Sequence, residues 1–127
     1  MAITQVNIGT PSNVTQFNDT AMGNAVDAIK ASSAIAYSVL IDNTLNGAAA
    51  SYVKLFNAAS GGIVVGTTVP DEVIFVPAGV KVTHLLYTGA NPGKTFATAL
   101  SAFCVTTGGT AGATSPASAV PVTVNYQ

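Results

Sequence analysis

Apolar and polar positions alternate along several short segments of this chain. In one such segment, residues 34–42, the large side chains Ile35, Tyr37, Val39 and Ile41 occupy every second position. A period of two indicates a β-strand with one face turned toward a core. Residues 42–47 (Asp-Asn-Thr-Leu-Asn-Gly) then supply Asx side chains and a glycine, which favour a turn. The pattern therefore predicts a strand, a turn and a second strand.

Further segments of β character are separated by stretches rich in Gly, Pro, Asn and Ser. We predict strands at residues 51–57, 72–76, 80–87, 95–106 and 119–126, and a strand within 21–31 that leads into a turn at Ser32 and Ser33. Many short strands at nearly regular spacing favour an all-β fold, either an antiparallel sandwich or a small barrel. Of these we expect an antiparallel, jelly-roll-like β-sandwich.

The first 24 residues follow a different pattern. They are rich in Thr, Asn and Gln, and their apolar positions fit neither a long helix nor a long strand. We predict an extended N-terminal arm over residues 1–24, with one short strand at 4–8, followed by a sandwich domain over residues 25–127. The apolar residues expected to anchor the arm on a partner are Ile3, Val6, Ile8, Val14 and Phe17.

Charge is scarce in this chain. It has four lysines, no arginine, five acidic residues and one histidine, so 7% of its residues are charged and the net charge is −1. A nucleic-acid partner is not expected, because phosphate neutralisation needs clustered cations. Soluble proteins usually carry roughly a quarter charged residues. We therefore expect much of the exterior to pack against other protein.

Hydropathy alone would suggest a membrane protein, since the mean hydropathy is +0.50. The apolar runs at 34–37, 73–76 and 102–105 are short, however, and a spanning helix needs about 20 residues. We expect no membrane partner and no secretion signal.

The residues capable of chemistry are few. His84 lies within a predicted strand, and the sequence places neither a nucleophile nor a carboxylate beside it, which favours a structural or interface role over catalysis. Cys104, between Phe103 and Val105, is expected to be buried and unreactive. Asp71 and Glu72 could contribute to a divalent-cation site, but solvated turn residues are the favoured interpretation. We predict no catalytic residue, metal or cofactor.

One segment imitates a phosphate-binding loop. Residues 89–95 read Gly-Ala-Asn-Pro-Gly-Lys-Thr, but three rather than four residues separate the glycines, Pro92 removes an amide, and the following residues are β-like. A hairpin loop is predicted instead. Residues 106–118 contain no large apolar side chain, and we expect a surface loop or interface filler.

From about residue 25 onward, ordered pieces of the chain match a known family. The pieces are Ala-Ala-Ser-Tyr-Val-Lys-Leu-Phe-Asn at 49–57, Val-Gly-Thr-Thr-Val-Pro-Asp at 65–71, Val-Pro-Ala-Gly at 76–79, Phe-Ala-Thr-Ala-Leu at 96–100, Val-Thr-Thr-Gly at 105–108 and Val-Asn-Tyr at 124–126. In order and spacing they resemble small virion structural proteins of tailed bacteriophages. The chain departs from that family in lacking an acid after Gly108, so no loop metal site is expected.

The resemblance implies a non-enzymatic β-sandwich on the capsid surface, of the head-decoration or cement type. Its partners would be the major capsid protein and further copies of itself, and the symmetry of icosahedral shells suggests a trimer. Two alternatives stay open. A receptor- or glycan-binding module of a tail fibre or baseplate predicts a polar cleft around Tyr52, Tyr87 and Asn91. A hydrolase needs His84 beside a nucleophile and an orienting carboxylate.

Overall fold

The computed structural model describes residues 13–127, and the regular structure in this range is almost entirely β. One 3₁₀ turn lies at Ser60–Gly62. The strands are β1 (Thr15–Asp19), β2 (Asp27–Lys30), β3 (Ala34–Asp42), β4 (Ser51–Phe56), β5 (Glu72–Val76), β6 (Lys81–Leu85), β7 (Tyr87–Thr88), β8 (Asn91–Pro92), β9 (Lys94–Phe96), β10 (Leu100–Val105) and β11 (Val122–Tyr126).

The eight longer strands form two antiparallel sheets. Sheet A has the order β1-β11-β3-β6, with the short β9 also paired to β3, and sheet B has the order β2-β10-β4-β5. Among these eight, the first strand pairs with the last, the second with the seventh, the third with the sixth and the fourth with the fifth. This nested pairing is the topology of a jelly roll. The predicted all-β sandwich is therefore confirmed.

The core lies between the two sheets. Its buried side chains come from both, including Val39, Ile41 and Val124 of sheet A and Val53, Leu55 and Ile74 of sheet B. Because sheet A is β1-β11-β3-β6 and sheet B is β2-β10-β4-β5, β1 and β2 border one side of the sandwich. β5 and β6 border the other side, where they contact each other.

The alternation predicted for β3 holds in only half of the strand. Val39 and Ile41 are buried as expected, but Ile35 and Tyr37 turn outward while Ala34 and Ala36 enter the core. The cause is a bulge: Asn125 and Tyr126 of β11 are adjacent, yet they oppose Ser38 and Ala36, which leaves Tyr37 as an extra residue. An inserted residue reverses the facing of every position beyond it.

The prediction of one strand over residues 95–106 is wrong. The segment forms β9, which pairs with β3 in sheet A, and β10, which lies between β2 and β4 in sheet B. The chain crosses between the sheets at residues 97–99, where the side-chain oxygen of Asn57 accepts a hydrogen bond from the Thr98 amide. The apolar run conceals this crossing because Phe96 and Leu100 are both buried in the core.

A second apolar cluster covers the outer face of sheet B. Phe56 and Phe103 stack there with ring centroids 5.0 Å apart, and Ile63, which directly follows the 3₁₀ turn, packs on them. β10 is therefore buried on both faces. This explains why its sequence, Leu-Ser-Ala-Phe-Cys-Val, is almost continuously apolar.

A buried polar network fixes one end of the sandwich. The side chain of Asn43 donates hydrogen bonds to the carbonyls of Ala49 and Pro77, and its oxygen accepts from Asn46 and Ser51. Asn46 in turn exchanges two hydrogen bonds with the backbone of Ser118. The predicted turn at 42–47 is confirmed, and its amides also hold two distant loops in place.

The described part of the predicted arm joins the fold. Thr15–Asp19 pairs with β11 along its whole length, and the buried side chain of Met22 belongs to the core cluster. The sheet therefore begins at residue 15, before the domain boundary expected at residue 25. The short strand expected at residues 4–8 lies outside the described residues.

Candidate functional site

The residues predicted to bind a partner are only partly within the described range. Ile3, Val6 and Ile8 lie outside it. Val14 is exposed just ahead of β1, whereas Phe17 on β1 is half-buried and packs against the protein's own core. Within residues 13–127, therefore, Val14 is the member of the predicted set that remains available to another molecule.

Large apolar side chains are exposed elsewhere, and sequence reasoning did not single them out. They are Leu40, Leu45, Val64, Val69, Phe75, Val80, Leu85 and Tyr87. Leu40 and Leu85 are diagonal neighbours on the outer face of sheet A, because Leu40 opposes Thr83 and Leu85 opposes Ser38. The exposed fraction of Leu85 is 56%. The alternation in β6 could have predicted this exposure, because Leu85 occupies the same face of the strand as Lys81 and Thr83.

The outer face of sheet A around these leucines is polar but uncharged. Thr123 donates a hydrogen bond to Asn18, and Asn125 donates one to Ser38, so neighbouring strands are linked across the surface by short amides and hydroxyls. At one end of the face, Lys81 and Asp42 form an ion pair of 3.6 Å. Apart from that pair, the described cross-strand rows of this face carry no ionised side chain.

A shallow concavity of about 210 Å³ interrupts this face between β3, β6 and β11, and its lining includes Leu40, Thr83 and Thr123. A second concavity, of about 310 Å³, lies beside β9 and includes Ser33, Ile35 and Thr95. Both are at or below the lower end of the usual range for small-molecule sites, roughly 300–1,000 Å³. Neither is lined by an aromatic ring, so neither offers a stacking platform for a sugar.

The aromatic side chains of the described residues do not lie together at one site. Phe56, Phe96 and Phe103 are buried. Tyr52 packs beside Phe75 on the outer face of sheet B, with centroids 5.4 Å apart. Tyr87 and Asn91 belong instead to the β7–β8 hairpin, and Gly93, directly after it, lies against Ile35 and Tyr37 of sheet A. The polar cleft expected around Tyr52, Tyr87 and Asn91 is therefore not formed.

The β7–β8 hairpin confirms the interpretation of residues 89–95 as a hairpin loop. Gly93 has a φ of +93°, and a Cβ there would come within 3 Å of Ile35 and Tyr37. Both the backbone conformation and the close approach require glycine at this position. The glycine serves chain packing, and the segment is followed by the strand β9 rather than by a helix.

His84 has a carboxylate beside it, which the sequence did not reveal. Its Nε2 lies 3.6 Å from one carboxylate oxygen of Glu72, and the other Glu72 oxygen lies 2.8 Å from Nζ of Lys94. Lys94 also donates a hydrogen bond to the carbonyl of Asp71. The three side chains come from β5, β6 and β9, so they join sheet B to sheet A.

Asp71 and Glu72 are thus engaged by protein groups. The carboxylate of Asp71 accepts a hydrogen bond from the Asn57 amide, and both oxygens of Glu72 have cationic or imidazole partners. Within residues 13–127, no group of three or more His, Cys, Asp or Glu side chains is arranged to hold a metal ion.

Lys54 is fully buried in the second apolar cluster. Its Nζ donates a hydrogen bond of 2.8 Å to the carbonyl of Ala111 and lies 5.8 Å from the ring centroid of Phe103. Burial lowers the pKa of this lysine. The contact ties the 106–118 segment onto sheet B, so this segment is a packed cover rather than a free loop.

Cys104 is buried in the core, as expected. Burial raises the pKa of its thiol to about 12, and this effect outweighs the smaller, opposing effects of hydrogen bonding with the Ser51 side chain and the Tyr52 backbone. A thiol that stays protonated is a poor nucleophile.

No protein-family profile, curated protein or solved structure matches this chain. Within the described part of the chain, no helix is long and apolar enough to cross a bilayer.

Proposed function

We propose that this protein is a structural subunit of a tailed-bacteriophage virion, a capsid decoration or cement protein that binds the major capsid protein and further copies of itself. The observation that carries the proposal is how the few charges are used: most of those in the described residues are buried or bind the protein's own groups, while large apolar side chains remain on the outside.

The use of charge can be followed residue by residue. Glu72 and Lys94 pair at the β5–β6 side, Asp42 pairs with Lys81, and Lys54 is buried. The outer surface is left to small polar residues and to exposed leucine, valine and aromatic side chains. Charge on the surface is what keeps soluble proteins apart, and exposed apolar patches mark interaction sites. Such an exterior suits a subunit covered by its neighbours.

The outermost strands also suit assembly. Edge strands of soluble proteins are usually guarded against pairing by lysine, proline or bulges. β1, at the border of sheet A, reads Thr-Gln-Phe-Asn-Asp and has neither lysine nor proline. β5, at the border of sheet B, reads Glu-Val-Ile-Phe-Val and exposes Phe75. Within residues 13–127 no strand pairs with the outer side of β1 or β5, so either edge offers backbone donors and acceptors for strand addition by a partner.

The topology adds support by analogy alone. Jelly rolls occur in viral capsid domains, and also in lectins and cupins, so the fold by itself does not choose among these roles. The virion assignment rests on the resemblance noted above, and the absence of an aromatic sugar platform from the concavities favours the capsid role over glycan binding.

The proposal is tested by occupancy on particles of the virus that encodes the chain. Shells lacking the protein are incubated with the full chain, with a variant lacking residues 1–12, and with a Leu40→Lys, Leu85→Lys double variant. A deletion of all 24 arm residues is unsuitable, since it would remove β1 and Met22. The matched control is the double variant Ala48→Lys, Ala117→Lys, which changes the net charge by the same amount at two other exposed positions.

We expect saturable binding of the full chain and of the control. The double lysine variant should lose at least tenfold in affinity, because its lysines must be desolvated in the contact. The variant lacking residues 1–12 should lose as much, because the anchors Ile3, Val6 and Ile8 are missing. If the full chain ignores shells and binds tail fibres or purified glycans instead, the proposal is overturned.

A further inference from the structure

Two acidic side chains meet at the side of the sandwich formed by β1 and β2. Asp19 is the last residue of β1 and Asp27 is the first residue of β2, so one belongs to each sheet. Their carboxyl groups lie within hydrogen-bonding reach of each other. This contact therefore bridges the two sheets where the chain first passes from one to the other.

The hydrogen bonds of the pair are incomplete without a proton. One oxygen of Asp19 accepts a hydrogen bond of 2.8 Å from the Ala21 amide. Oδ2 of Asp27 is buried, and none of residues 13–127 gives it a donor. A buried carboxylate oxygen without a donor is costly. A proton held between the two carboxyl groups removes that cost, because it converts one acceptor into a donor.

We propose that Asp19 and Asp27 form a proton-operated latch, which fastens β1 to β2 while the pair holds a proton and loosens this side of the sandwich when both carboxyl groups are ionised.

The surroundings of the pair support this titration. Burial is the main cause that raises the pKa of Asp27 to about 6, and the hydrogen bond and the charge of Asp19 raise it further. The packed strand β10 contributes Cys104, which stays neutral because burial raises its pKa to about 12. On β2 itself the nearest cation is Lys30, three positions along.

The direction of the pH effect follows from linkage. In an unfolded chain Asp27 titrates near its ordinary pKa of 3.8, and in the folded protein near 6. The contribution to stability is therefore complete below about pH 4, declines as the pH rises through 6, and is lost at neutral pH.

The test compares denaturant unfolding of the full chain with that of Asp27→Asn between pH 4.5 and 7.5. The pKa shift sets an upper limit of about a hundredfold on the change in the folded-to-unfolded ratio, and solvent screening reduces the expected fall to about tenfold. Asp27→Asn should lack this fall, because its amide donates to Asp19 at every pH. Asp19→Asn serves as the second variant if Asp27→Asn does not fold.

Two controls isolate the pair. Histidines in general change charge between pH 5 and 8, so both proteins are also measured with His84→Gln. Asp42→Asn changes an acidic group whose pKa is lowered, chiefly by the hydrogen bond from the Thr44 side chain, and it should keep the wild-type fall.

Hydrogen exchange locates the effect. After correction for intrinsic exchange rates, amides of residues 15–19 should be at least tenfold less protected at pH 7.5 than at pH 5 in the wild type, and equally protected at both in Asp27→Asn. An unchanged fall in Asp27→Asn overturns the proposal. Stabilisation of the wild type at pH 7 by calcium, absent in Asp27→Asn, also overturns it, because the pair would then be a cation site.

Discussion

The two sides of the sandwich are closed by opposite means. At the β5–β6 side, Glu72 lies between His84 and Lys94, so a carboxylate meets groups that can carry the complementary charge. At the β1–β2 side, Asp19 meets Asp27, and two like groups are brought together. The β5–β6 side is therefore held by opposite charges. The β1–β2 side is held by two acidic groups, whose contact depends on a bound proton.

This contrast indicates which side of the sandwich opens more easily. A complementary pair at a half-buried site stabilises the closed state modestly across the neutral range. A carboxyl pair stabilises it only while a proton is bound. The β1–β2 side is thus the side on which we expect a change in pH to alter the fold most.

The largest change in stability is expected at Lys54, a charged side chain that has neither an opposite charge nor a shared proton to stabilise it. Lys54 is buried with a carbonyl as its hydrogen-bond partner and no carboxylate beside it in the described structure. Lys54→Met should raise the free energy of unfolding at pH 7 by about 2 kcal/mol, since a desolvated cation is removed and the apolar stem is kept.

The pH dependence of that gain has a defined sign. The pKa of Lys54 is lowered in the folded state from 10.5, so the penalty is present below the folded pKa and vanishes as the pH approaches 10.5. Denaturant unfolding at pH 7 and pH 10 measures both effects, with the exposed Lys81→Met as control. A destabilised Lys54→Met would show that the Ala111 tether outweighs the buried charge.

The next largest loss of stability is expected when the β5–β6 side is also given two neighbouring carboxylates. Lys94→Glu places a second carboxylate beside Glu72 and removes the bond to the Asp71 carbonyl. We expect a loss of about 1–2 kcal/mol at pH 7 that is partly recovered at pH 5, when the new pair binds a proton. Lys81→Glu, opposite Asp42 on the surface, should lose less, because solvent screens exposed charges. Equal losses would contradict the contrast between the sites.

A smaller effect is expected from repairing the β1–β2 side. At pH 7, Asp27→Asn should gain about 1 kcal/mol after allowance for solvent screening, and adding Asp19→Asn should give no further gain, because the repulsion is already gone. A double-mutant cycle by thermal unfolding measures this. Two independent, additive gains would show that the carboxyl groups do not interact.

The smallest change in stability concerns the exposed face beside β6. Leu85→Thr should leave the free energy of unfolding within about 0.5 kcal/mol of the wild type, since the side chain is largely solvated. The same substitution should weaken binding to shells. Loss of stability without loss of binding would assign Leu85 to the fold rather than to a partner surface.

The sequence predicted features that depend on local pattern. The strands predicted at 51–57 and 72–76, the turn at 42–47 and the hairpin loop at 89–95 follow from alternation and turn chemistry, and the burial of Cys104 follows from its apolar neighbours. Hydrophobicity could not reveal the crossing at 97–99 or the bulge at Tyr37, because both depend on which sheet each flanking residue joins.

The side-chain clusters were beyond sequence reasoning for a related reason. Glu72 and Lys94 are 22 residues apart, and only the pairing of β9 with β3 brings them together. Lys54 alternates with Val53 and Leu55 and would ordinarily face solvent, but the distant 106–118 segment covers it. The chemistry of such sites becomes visible once the sheet order is known.

The most direct test is electron cryomicroscopy of intact virions whose genome encodes this chain. We expect jelly-roll density on the capsid surface, in symmetric groups, with the face of Leu40 and Leu85 or the β1 and β5 edges covered by neighbouring protein. Particles whose shells and tails carry no such density, together with a protein that remains monomeric in solution, would contradict it.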